Sequence, residues 1–153
     1  MLNLTSSFKS PVESAGLLIA RIILGSVLIA HGWQKFNEWT IAGTTEAFTG
    51  MGVPAAGVTA PIAAIVELIG GILILVGLVT RIVAALVALQ MVGAGIWGGH
   101  FGAGVMVANN GWELVMVIAA AAVIFATAGP GQYAVDRFIF KDKNASTKTA
   151  VAA

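Results

Sequence analysis

Four ionisable side chains of this sequence lie inside apolar segments. Arg21, His31 and Lys35 share one segment and Glu67 sits in the next. Glu113 opens a later segment, and Gln90 and His100 lie on and just beyond the one between. A buried carboxylate beside cations and imidazoles can move protons or hold a polar headgroup. At 100° per residue Arg21, His31 and Lys35 fall within about 80° of one another, and Gly25 and Gly32 lie on that side. This polar, small-residue face must therefore point into a protein interior. Glu67 shares a face with Gly70 and Gly71, with Ala63 and Ala64 a turn earlier. Small residues of this kind, Gly70 and Gly71 above all, let membrane helices approach closely.

The segments carrying these groups are too apolar for a soluble domain. Of 153 residues, 58% are hydrophobic and 10% charged, and the mean hydropathy is +0.94. Soluble domains carry about 25% charged residues, and disordered chains are polar and charged. An integral membrane protein in a lipid bilayer is what remains. Its four apolar stretches run over residues 15–35, 61–79, 82–98 and 111–128, near the roughly 20 residues a span needs. Continuous runs predict helices, because a transmembrane barrel would alternate. The expected fold is all-α, an integral membrane antiparallel four-helix bundle. Residues 1–140 form one four-span domain, and 141–153 form a disordered cytoplasmic tail. Arg21 interrupts the apolar core that a cleavable signal would need. Thr44 is placed to cap a short interfacial helix in the first long connection.

Lysine and arginine placement predicts orientation. Lys9, Arg81, Arg137, Lys141, Lys143 and Lys148 fall on one side, and the other side has only Lys35. Both termini of this multi-pass chain are therefore expected in the cytoplasm. From the 1.5 Å rise, Glu67 lies about 9 Å and His31 about 6 Å from the outer ends of their spans. His31, Lys35, Glu67, His100 and Glu113 thus converge in the outer third, while Arg21 and Asp136 lie towards the inner side. Gln90 is mid-membrane and can hydrogen-bond across the interior. The convergence reads either as a ligand pocket or as a salt-bridge cluster pinning the bundle. Trp33, Trp39, Trp97 and Trp112 lie near the same boundary and read as interfacial anchors.

Several chemistries are not expected. The absence of cysteine removes thiolate metal sites, iron–sulfur ligation and cysteine nucleophiles. His31 and His100 are the candidate haem or metal ligands, but no His-x-x-x-His or Glu-x-x-His pair marks either helix, so neither haem nor metal is expected. A net charge of +1 without a basic stripe gives no reason to expect nucleic acid.

The motifs HGWQKF (31–36), FTGMGVP (48–54), ELIGGILILVGLVTR (67–81) and GPGQYAVD (129–136), with His100 and Glu113 between them, form an ordered set. That set resembles the DoxX family over about residues 17–138. Gln132 and Ala134 replace the basic and hydroxyl residues usual in the family's last motif, whereas Asp136 is kept. The resemblance implies a small four-helix protein of the bacterial plasma (inner) membrane. Its relatives include subunits of a thiosulfate:quinone oxidoreductase, and other members associate with complexes handling sulfur and oxidative stress. In that light Arg81, Gly129, Pro130, Gly131 and Asp136 are expected to be structural.

Three functions follow as expectations. The first is a subunit of a membrane oxidoreductase complex that binds a quinone or a small oxidised substrate in the outer pocket. There Glu67 and Glu113 handle protons, His31 or His100 binds a carbonyl oxygen, and Lys35 with Arg21 balances charge. No electron carrier is evident in the chain, so a soluble or membrane oxidoreductase partner would supply one. The second is a non-catalytic anchor or assembly subunit. The third is a small-molecule transporter, which would need a homo-oligomer because four helices rarely enclose a pathway.

Overall fold

The computed structural model describes residues 10–140; the tail expected over 141–153 lies outside them. Among the described residues the regular structure is entirely helical. Helix α1 spans Pro11–Asn37, α2 Thr40–Gly50, α3 Ala56–Val76, α4 Thr80–Trp97, α5 Glu113–Ala128 and α6 Val135–Phe140. Two 3-10 turns, His100–Gly102 and Val107–Asn109, shape the connection between α4 and α5.

Three helices, α1, α3 and α4, are long and apolar enough to cross a bilayer, and α5 is a shorter apolar helix of 16 residues. With 27 residues α1 extends about 40 Å, more than the hydrocarbon core requires. Pro11 starts it, where a missing N–H removes no helical bond. The helix α3 begins at Ala56, so Pro61 sits inside it rather than at its start. Thr59 supports this early turn, its hydroxyl donating to the Pro54 and Ala55 carbonyls at 3.2 and 3.3 Å. The first connection does hold a short helix, but Thr44 does not cap it. Thr40 opens α2 with its hydroxyl accepting the Gly43 N–H at 3.3 Å, and Thr44 is buried a turn later.

Burial is inverted relative to a soluble protein. Arg21, Lys35, Glu67 and Asp136 are buried, while Ile23 of α1 and Ile62 of α3 are 61% and 53% exposed. Exposed aliphatic side chains on a helix whose charges face inward are lipid-facing. The core is drawn from four helices: Leu24 and Leu28 of α1, Ile74 of α3, Val87 and Met91 of α4, Ile118 and Phe125 of α5. Neighbours run antiparallel. Gly32 lies against Leu68 while Gly25, two turns earlier, lies against Gly71 and Leu75. A Cβ at Gly32 would sit 2.7 Å from the Leu68 Cα, and one at Gly25 would sit 2.8 Å from the Gly71 carbonyl oxygen. Only glycine permits this approach of α1 to α3.

Candidate functional site

The glycine seam fixes where polar groups meet. It draws α3 onto the side of α1 that carries Gly25, Gly32 and Lys35, and Glu67 then faces Lys35. The Lys35 Nζ donates to Glu67 Oε2 at 2.6 Å, with the two residues 9% and 5% exposed. From α4, Gln90 Nε2 donates to Glu67 Oε1 at 2.7 Å and lies 3.4 Å from the Ala63 carbonyl. Both carboxylate oxygens are thereby bonded, by two different helices. Trp39, just before α2, lays its ring 5.7 Å from Nζ, a distance at which a cation is attracted to an aromatic face. Thr44 of α2 touches the same region, its hydroxyl 3.4 Å from the Lys35 carbonyl.

The three-residue centre Lys35–Glu67–Gln90 is smaller than the five-group convergence expected from depth alone. His31 is half-buried on the flank of α1, in a shallow open depression with Ala30, Gln34 and Glu38. It lies about 100° from Gly32, so the glycine seam that draws in α3 turns His31 aside. Gln34 and Glu38 bond each other there at 3.0 Å. His100 and Glu113 are used by the connection between α4 and α5. The His100 Nδ1 meets the Asn110 carbonyl at 2.7 Å, Asn110 Nδ2 donates to the Gly98 carbonyl at 3.2 Å, and Glu113 Oε1 accepts the Val107 N–H at 2.7 Å. A loop of this length has many backbone groups to satisfy, and these two side chains satisfy some of them. Depth along a helix carries no information about which way a side chain turns.

A second polar centre lies at the opposite end. Arg21 is 1% exposed and donates through Nη2 to the Tyr133 carbonyl at 2.5 Å. Its Nε and Nη1, the Thr80 hydroxyl and the Arg81 Nε are buried without a hydrogen-bond partner among the described residues. Gly77 makes room for the guanidinium: its φ is +78°, and a Cβ there would strike Arg21 and come within 2.7 Å of the Ala134 Cβ. Asp136 donates its own N–H to the Gly77 carbonyl at 2.9 Å. Arg81 holds the end of α5, donating to the Ala126, Thr127 and Ala128 carbonyls, with Gly129 beside it. Pro130 and Gly131 are buried in the strap that follows, whose Gln132 N–H donates to the Ser14 hydroxyl at 3.3 Å.

Three contributors escape sequence reasoning. Trp39 read as an anchor, although its spacing of four from Lys35 on a helical path was a usable signal. The carbonyls of Ala63 and Tyr133 carry no signal, because any residue supplies one. Among the described residues no group of three or more His, Cys, Asp or Glu is placed to hold a metal ion.

Comparison with known proteins matches the chain to the DoxX family model over residues 16–101. It is 33% identical over 134 residues to "Inner membrane protein YqjF" of Escherichia coli (strain K12), covering 85% of this chain and 96% of that protein. It is 34% identical over 79 residues to "Putative oxidoreductase CatD" of Bacillus subtilis (strain 168), covering 52% of this chain and 56% of that one. No solved structure matches significantly. A family model matched over more than half of the chain, and a relative aligned over nearly its whole length, agree with the buried charges and lipid-facing helices: this membrane protein belongs to the DoxX family.

Proposed function

We propose that the chain is a plasma-membrane subunit that works beside an oxidoreductase, with the Lys35–Glu67–Gln90 centre receiving a polar headgroup of quinone type. The observation carrying this reading is the buried ion pair itself. Removing each charge from water costs several kcal/mol, and glycine packing would hold α1 to α3 without it. Lys35 donates to a carbonyl oxygen, Glu67 exchanges a proton, and Gln90 orients Glu67. Glu113 and His100, bonded to the α4–α5 connection, stand outside this centre, His31 offers a half-buried donor on the flank of α1, and Arg21 balances charge at the other end. Electrons come from the partner. The name of the Bacillus relative supports the association with redox chemistry.

One observation favours a second reading, that of a non-catalytic anchor. Both Glu67 oxygens are already occupied by Lys35 and Gln90, which is what a purely structural pair would show. The experiment is copurification in mild detergent, followed by turnover of a soluble short-chain quinone in complexes carrying Glu67→Gln or Lys35→Met. The redox reading expects the partner to be retained and turnover to fall by roughly tenfold or more, as when a general acid–base group is removed. Unchanged turnover in an intact complex overturns it and leaves the anchor. Purification without any oxidoreductase overturns both.

A further inference from the structure

We infer that α2 is a hinged lid over the Lys35–Glu67–Gln90 centre, and that lifting it presents the Lys35 ammonium to an acceptor headgroup at the membrane boundary. The helix lies between two non-glycine residues in the left-handed region, Thr40 at φ +62° and Ala55 at φ +49°. For a β-branched residue such as threonine this is a strained conformation. Such strain persists only where neighbours impose it, and it gathers at clamps and switches. At Thr40 two hydrogen bonds and the packing of α2 on α3 impose it. The Thr40 hydroxyl accepts the Gly43 N–H, and its carbonyl accepts the Thr44 hydroxyl at 2.9 Å.

The only buried residue of α2 is Thr44, 1% exposed. A short helix with one fully buried side chain, beside the half-buried Ile41, Gly43, Thr45 and Phe48, opens at lower free energy than the bundle beneath it. Relief of strain at Thr40 and Ala55 offsets part of what opening loses. The motion is coupled to the centre because Trp39 leads directly into α2 and covers Nζ. A lysine ammonium has three donors. Glu67 takes one, and the Trp39 ring lies over another side, the side that opening uncovers.

What the lid admits rests on the reading of the centre as a binding site, but its movement can be measured alone. The chain has no cysteine, so Thr44→Cys in the full protein in lipid nanodiscs reports opening through its rate of reaction with a water-soluble maleimide. Val87→Cys, in the core of α4, is the closed reference. Thr44→Cys should react roughly tenfold faster than Val87→Cys. Adding Thr40→Asn, which tolerates a left-handed backbone and keeps an acceptor for Gly43, should slow Thr44→Cys by roughly threefold or more, because the closed state loses its strain. Equal rates for the two cysteines, or indifference to Thr40→Asn, overturn the lid. Hydrogen exchange on the unsubstituted chain guards against a folding defect: α2 amides should exchange well before those of α3, and equal protection also overturns it. A soluble short-chain quinone should alter the Thr44→Cys rate. A lid that moves but ignores the quinone supports the motion and overturns the quinone assignment.

Discussion

Asp136 closes the start of α4 from fifty-six residues away, its Oδ2 accepting the Thr80 N–H at 3.2 Å while Oδ1 accepts the Val79 N–H at 2.7 Å. Val79 has a left-handed backbone, φ +44°, and the carboxylate holds that turn in place. A carboxylate at a helix N-terminus satisfies orphan donors and complements the dipole. The same group feels Arg21, so one residue links α4, the 129–136 strap and the buried guanidinium.

Asp136→Ala should therefore destabilise the protein by about 0.5–2 kcal/mol, the range for a lost N-cap. Asp136→Asn, which keeps one acceptor, should lose less. Denaturant titration in mixed micelles measures both. An alanine variant as stable as the parent would show that the cap contributes nothing.

The Lys35–Glu67 pair gives a different signature. Glu67→Gln or Lys35→Met alone leaves one buried charge without its counter-charge and should cost about 3–5 kcal/mol. The double variant removes both charges and should recover most of that loss. A double-mutant cycle on apparent melting temperature reads the coupling directly. Additive losses would mean that the 2.6 Å pair seen here contributes no coupling energy.

Orientation is tested by labelling. The lysine and arginine asymmetry predicts both termini in the cytoplasm. A cysteine at Ala108, in the α4–α5 connection, should react with an impermeant thiol reagent on intact cells, and one at Ala150 should not. The opposite pattern reverses the proposed topology.

Much of the architecture was legible because it rests on period and composition. The helical face joining Arg21, Gly25, Gly32 and Lys35, and the one joining Ala63, Ala64, Glu67, Gly70 and Gly71, are buried as the 100° rule requires. Gln90 reaches across the interior because a mid-span amide in lipid must find a partner. What the rule could not resolve was rotation at the margin. His31 lies about 40° from Lys35, close enough to look like the same face, and the glycine seam decides between them. His100 and Glu113 were placed by depth, whereas their partners are backbone groups of a loop whose path local sequence does not encode. Pro61 looks like a first helical residue, but α3 begins five residues earlier, at Ala56, where the Thr59 hydroxyl bonds the Pro54 and Ala55 carbonyls.

The glycine seam makes the last prediction. At Gly32 a Cβ would fall on the backbone of Leu68, 2.7 Å from its Cα, and backbone cannot swing aside as a flexible side chain can. Gly32→Ala must therefore part α1 from α3 locally, and Gly32→Val must part them further. Overpacking of a close-packed interface costs about 1–3 kcal/mol, and here the separation also lengthens the bond between Lys35, less than a turn away, and Glu67. Gly16, where an added Cβ would meet nothing within 4 Å, is the control in the same helix. Gly32→Val should lower the melting temperature and also erase most of the Lys35–Glu67 coupling energy in the cycle described above, whereas Gly16→Ala should change neither. If Gly32→Val lowers stability but leaves the coupling intact, the ion pair does not depend on the seam, and the link between helix packing and the polar centre is wrong.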